Sequence, residues 1–200
     1  ILDADGTVLP AGELGSIAVK LPLPPSCLVT IWGADEAYVE KYLTSFPGYY
    51  ETGDAGYCDE DGYFYIMART DDVINVAGHR LSTGQLEEVL ADHPDIAECA
   101  VIGVADQLKG QLPLGLICLY PNCNRLQGDI MTEAITLVKD RVGRVSSFNL
   151  IVVIDRLPKT RSGKILRGTI AKIADGENWN MPATIDDPAI LGEIKTALQS

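Results

Sequence analysis

Two hundred residues, 46% apolar and 22% charged, are enough for one sizeable core, or for one domain and a piece of another. A formal net charge of −12 excludes nucleic acid as a general partner, and no stretch approaches the ~18 consecutive apolar residues of a membrane helix. Five cysteines without a Cys-x-x-Cys pair and only two histidines argue against a disulfide framework and against a metal site, and suit free thiols in a reducing compartment.

The chain opens on Ile1-Leu2-Asp3-Ala4-Asp5-Gly6, which has neither signal-peptide nor transit-peptide character and reads as the interior of a longer protein. The first fifty residues are rich in turn formers, with a short alternating strand at Ser16 to Leu21 and one short helix from Asp35 to Tyr42 before Pro47-Gly48. Alone, that region has little with which to build a core. A hairpin follows, Ala55 to Cys58 and Tyr63 to Ala68, around the turn Asp59-Glu60-Asp61-Gly62. Val73 to Val76 is another strand, ended by Gly78.

From residue 82 the pattern is regular. Ser82-Thr83-Gly84-Gln85 reads as a capping box that opens a helix with Leu86, Val89 and Leu90 on one face and stops it at His93-Pro94. Ile96 to Val104, Leu114 to Tyr120 and Ile151 to Ile154 are apolar runs of strand length, and Ile130 to Val142 is an amphipathic helix. Ile165 to Ala174 and Pro188 to Leu198 are expected as the last two helices. The order describes a compact α+β domain over roughly 72 to 175, with a polar, glycine-punctuated junction between about 68 and 81.

Three segments carry possible chemistry, and each has a plain structural alternative. Tyr50-Glu51-Thr52-Gly53-Asp54 offers a carboxylate able to accept two hydrogen bonds from neighbouring hydroxyls, as on a ribose, or merely an Asp that caps a turn. In Arg69 to Arg80 two arginines suited to phosphate flank Asp71-Asp72 and Gly78; the alternative is a surface salt-bridge cluster. Leu157-Pro158-Lys159-Thr160-Arg161-Ser162-Gly163-Lys164-Ile165, with Arg167 beyond it, gathers basic charge. It fails as a Walker loop, because the leading glycine is absent and Ile165 stands where a hydroxyl residue should follow the lysine. Its alternative is a solvated basic turn.

Taken in order, these segments together with Gly12-Glu13-Leu14-Gly15 resemble the AMP-forming adenylating superfamily: acyl-CoA synthetases, peptide-synthetase adenylation domains and firefly-type luciferases. The resemblance runs from about residue 1 to 175, and Trp32-Gly33, Phe46 to Tyr50 and Val76-Ala77-Gly78-His79-Arg80-Leu81 are similar to the acetyl- and propionyl-CoA synthetase branch. It implies an α+β fold in which residues 1–70 form the β-rich end of a large adenylate-forming domain, 71–180 a small mobile lid domain and 181–200 a tail helix. It implies ATP, Mg2+, a short-chain carboxylic acid and CoA as ligands, the rest of the large domain as a partner, and a mitochondrial matrix location, with cytosol as the alternative.

Residue by residue, the resemblance implies ribose binding by Asp54, ribose and phosphate contacts by Arg69 and a phosphate contact by Arg80. It makes Asp71 the hinge, Lys164 the lysine that orients the carboxylate against the α-phosphate, Ala77-Gly78 a wall of the pantetheine tunnel and Lys139 a CoA-phosphate contact. Some relatives carry a metal near the counterpart of His93, although a lone His before Pro is more often a helix-end residue. The phosphate loop, adenine segment and acyl pocket of such enzymes have no counterpart in these residues, so the chain by itself is expected to be inactive. Two other readings stay open: an adenylation domain that loads a carrier protein, and a non-catalytic α+β interaction module.

Overall fold

A computed structural model describes residues 1–199, with Asp71 described by its backbone alone. The chain divides into two compact units, Ile1–Asp71 and Asp72–Ser200. The boundary falls inside the short 3-10 turn Thr70–Asp72.

The first unit is a three-stranded antiparallel sheet in the order β1 (Gly15–Lys20), β2 (Tyr49–Cys58), β3 (Phe64–Arg69), with one helix, α1 (Asp35–Tyr42). Its buried apolar residues are few: Leu2, Tyr38, Phe46 and Ala55. Tyr63, Phe64, Tyr65, Ile66 and Met67 are all exposed. The register of β1 on β2 jumps from Ile17↔Asp54 to Ala18↔Glu51, so Thr52 and Gly53 bulge out of the ladder. Bulges of this kind re-aim side chains beside functional sites. β2 therefore reaches back beyond the expected hairpin strand and contains the whole Tyr50 to Asp54 segment.

The second unit is α+β, a five-stranded sheet with helices on both faces. β7 (Gly110–Leu119) is its centre: β6 (Ile96–Asp106) pairs antiparallel along one edge, and β4 (Val73–Val76) and β8 (Leu150–Val153) share the other. β5 (His79–Ser82) completes the sheet beyond β4. Alternation along the central strands sends Val101, Ile117 and Ile151 to one face, where α2 (Thr83–Ala91) and α3 (Gln127–Arg141) supply Leu86, Leu90, Ile130, Ala134 and Val138. Ala100, Ile102, Leu114 and Leu116 go to the other face, against α4 (Arg167–Ala174) and α5 (Ile190–Gln199). Strands covered on both faces explain why β6 and β7 read as near-continuous apolar runs.

Two local expectations are corrected. Ser82 stands at the N-cap of α2 with extended backbone but makes no capping hydrogen bond, so the capping box does not form. Ser82 is already the last residue of β5, held opposite Val73, and the ladder sets the geometry at which the helix starts. The helix expected from Ile165 begins at Arg167, because Ile165 is bridged to Lys159. The closing helix α5 is part of the second unit's core, with Ile190, Leu191 and Ile194 at most 3% exposed.

Candidate functional site

In the first unit the bulge brings Asp54 and Arg69 together. Arg69 Nη1 donates to Asp54 Oδ1 at 3.2 Å and to the Thr52 carbonyl at 3.3 Å. The Thr52 hydroxyl donates to the Ile17 carbonyl at 2.7 Å and accepts from the Asp54 amide at 3.1 Å, which fixes the turn from within. The Thr70 hydroxyl donates to the Gly53 carbonyl at 3.2 Å. Gly53 has φ +76°, open to glycine at no steric cost. Asp54 keeps about a third of its side chain exposed while Arg69 holds its Oδ1. A partly exposed carboxylate beside a half-exposed guanidinium, on neighbouring strands, offers an acceptor and a cluster of donors to a polyhydroxylated anion.

In the second unit Ala77-Gly78 is a two-residue hairpin turn between β4 and β5, closed by the Val76↔His79 pair. Both residues have positive φ, +48° at Ala77 and +88° at Gly78, as a type I′ turn demands. Asn, Asp or Gly normally fills the first position, and an alanine there stores ~1–2 kcal/mol of backbone strain. The Ala77 amide donates to the Lys109 carbonyl at 2.8 Å, and the Lys109 ammonium donates to the Ser147 hydroxyl at 2.9 Å. Ser147, φ +51°, is the other non-glycine residue with positive φ among the described residues. Arg80 lies opposite Asn75 on the exposed edge strand β5, and Lys139 stands half-exposed in the last turn of α3. The hinge expectation falls on Asp71, whose side chain lies outside the described residues.

The Lys159 to Ile165 segment is a tight turn. The Thr160 amide donates to the Lys164 carbonyl at 2.8 Å, the Lys164 amide to the Thr160 hydroxyl at 3.0 Å, and Gly163 (φ +84°) makes the corner. Its basic cluster resolves into two kinds of charge. Lys159 pairs with Glu98 at 2.7 Å, and Arg167 holds Glu87 through two hydrogen bonds of 3.1 and 2.9 Å, with Asp72 at 4.0 Å. Among the described residues Arg161 and Lys164 have no acidic partner and are exposed. Sequence reasoning missed Glu98 and Glu87 because they stand 61 and 80 residues from their partners, a distance at which no local pattern signals pairing.

His93 is buried, 5% exposed, and fully employed: Nδ1 accepts from the Asp95 amide at 3.2 Å, which leaves Nε2–H to donate to Glu133 at 3.3 Å. Arg125 ties Glu133 to Asp95. His93 thus locks the end of α2 to α3, and among the described residues no group of three or more His, Cys, Asp or Glu is placed to hold a metal ion. Burial, followed by neighbouring carboxylates, pushes the thiols of Cys99 and Cys118 up to about 11, so both are neutral packing groups.

Residues 85–164 match the family model described as AMP-binding enzyme C-terminal domain. An uncharacterised protein of Pseudomonas aeruginosa is 55% identical over 100% of this chain and 32% of its own length. The mitochondrial acyl-CoA synthetase short-chain family member 3 of Mus musculus is 46% identical over 100% of this chain and 29% of its own length. The propionate–CoA ligase of Escherichia coli is 43% identical over 94% and 31%. The solved acetoacetyl-CoA synthetase of Streptomyces lividans superposes with a TM-score of 0.82 over 99% of this chain and 30% of that one at 20% identity, which establishes the fold alone. The chain spans about 30% of the length of these relatives. The chain thus carries an AMP-binding enzyme C-terminal domain over residues 85–164, and along its whole length it is similar to one part of the short-chain acyl-CoA synthetases and propionate–CoA ligase.

Proposed function

We propose that this chain forms part of a short-chain acyl-CoA synthetase that activates acids of the propionate or acetate type. In the first half-reaction a carboxylate oxygen of the acid attacks the α-phosphorus of ATP. The bond to the bridging oxygen breaks, giving acyl-AMP and pyrophosphate. In the second, the CoA sulfur attacks the acyl carbon, the bond to the phosphate oxygen breaks and AMP leaves. Mg2+ enters with ATP as part of the substrate.

The observation that carries this reading is Lys164. On a turn whose flanking cations Lys159 and Arg167 are neutralised by Glu98 and Glu87, its ammonium and the Arg161 guanidinium have no acidic partner among the described residues and are exposed to meet a ligand. A fixed cation placed where negative charge accumulates lowers the barrier of the adenylation step, and loss of such a contact costs about 10²–10³ in rate. Asp54 is assigned the ATP ribose, Arg69 the ribose and phosphates and Arg80 a phosphate; Ala77, Gly78 and Lys139 are assigned the CoA side. Residues 1–70 are assigned to the large domain, 71–180 to the small mobile domain turning at Asp71, and 181–200 to its tail. The relatives come from mitochondria and from bacteria, so we assign the mitochondrial matrix in a eukaryotic host and the cytosol in a bacterial one.

The test compares Lys164→Ala with the parent full-length synthetase carrying this chain. Propionate-dependent pyrophosphate release should collapse by about 10²-fold or more, while thioester formation from supplied propionyl-AMP and CoA survives. ADP as the nucleotide product, or equal loss of both steps, overturns the reading. Preference for a pantetheinylated carrier protein over free CoA would replace it with the carrier-loading alternative.

A further inference from the structure

The turn that carries Lys164 is not held by its own hydrogen bonds alone. A segment about twenty residues further along the chain lies beside it, joined by an isolated antiparallel bridge. Thr160 is bridged to Ile185, the Arg161 amide donates to the Thr184 carbonyl at 3.0 Å, and the Asp186 amide donates to the Lys159 carbonyl at 3.0 Å. Ile185 is 5% exposed, packed into the core cluster that also holds Leu157 and the buried face of α5.

One ion-pair cluster closes the end of this ladder. Arg156, three residues before Lys159, reaches across to Asp187, directly after Asp186, with Nη1 2.7 Å from Oδ2. The same guanidinium grips Glu193 on α5, Nε to Oε2 at 3.1 Å and Nη2 to Oε1 at 2.7 Å. Arg156's hydrogen bonds hold the Glu193 carboxyl below its ordinary range; the Asp187 carboxyl is held down first by the Ala189 amide and then by Arg156. The cluster therefore stays ionised at neutral pH.

We propose that the Arg156–Asp187–Glu193 clasp is a positioning device for Lys164: it fixes the bridged 184–186 segment against Lys159–Arg161, and through it the turn from which the Lys164 ammonium projects. This rests on the assignment of Lys164 to adenylation. All three side chains are close to half-exposed, so each pair adds little to stability, and losing one leaves the Ile185, Ile190, Leu191 and Ile194 core in place. Rate is more sensitive than stability, since a displacement of about 1 Å at a reacting group costs up to ~10²-fold.

The experiment uses the full-length synthetase carrying Arg156→Ala, Arg156→Lys, Lys164→Ala and the Arg156→Ala/Lys164→Ala pair, with the two half-reactions assayed separately. The expected result is a fall of about tenfold in the adenylation kcat of Arg156→Ala, with KM for ATP and acid and the thioester step from supplied acyl-AMP unchanged. Arg156→Lys should recover part of the rate, and the double variant should be no slower than Lys164→Ala alone. Equal loss in both half-reactions, no loss in either, or additive losses in the double variant overturn the clasp as a positioning device. If Lys164→Ala itself leaves adenylation intact, the assignment of the lysine has failed instead, and that outcome is read independently of the Arg156 variants.

Discussion

Arg69 lies directly over the backbone of Gly53, so that a β-carbon at Gly53 would come within 2.7 Å of Nη2 and 3.1 Å of Cζ. Glycine is thus required twice, for φ +76° and for the approach of the guanidinium. Gly53→Ala should push Arg69 off Asp54 and add ~1–2 kcal/mol of backbone strain. In the full-length protein we expect the KM for ATP to rise about tenfold, with a modest drop in melting temperature. An unchanged KM would show that the Asp54–Arg69 pair takes no part in nucleotide binding.

What was legible in the sequence was what local physics decides. The helix Asp35–Tyr42 and the strand Val73–Val76 have the bounds expected from turn formers and periodicity. β5 was not legible, because His79-Arg80-Leu81-Ser82 holds one apolar residue and becomes a strand only by pairing across the Ala77-Gly78 turn. The Tyr50 to Asp54 segment could be singled out, but not its bulge, which depends on the register of β1. Residues of the Lys164 turn were visible as a basic run. Which charges are spent and which are open depends on Glu98 and Glu87, brought there by tertiary folding like the 184–186 segment that borders the turn.

The buried thiols predict an alkaline limit to stability. Cys99 and Cys118 are both pushed up to about 11, burial being the first cause in each. As pH rises through the ordinary thiol range the unfolded chain releases these protons while the folded chain keeps them, so stability falls from there until the folded thiols ionise near 11. Denaturant midpoints measured at intervals on this alkaline side should decline, and the decline should flatten in a Cys99→Ala/Cys118→Ala variant. Equal slopes in both proteins would assign the alkaline loss to other groups. At pH 8 a thiol reagent should modify exposed Cys27 well before half-buried Cys99 or buried Cys118.

Ala77 separates strain from use. Its φ of +48° is disfavoured for any side chain, yet the Lys109 carbonyl accepts its amide and holds the turn in place. Ala77→Gly relieves the strain but frees the unfolded chain, so the net gain in stability should be small, about 0.5–1 kcal/mol or less, read as a higher urea midpoint with the slope unchanged. Ala77→Val places a β-branched side chain at positive φ and should lose at least ~1 kcal/mol. If the strained turn served the fold alone, Ala77→Gly would leave both half-reactions untouched. If it forms a wall for the thiol substrate, the looser glycine turn should raise the KM for CoA several-fold while acid-dependent pyrophosphate release stays at the parent rate. A more stable protein that handles CoA less well is the signature of strain kept for function, and a variant more stable and equally active would remove Ala77 from the CoA side of the mechanism.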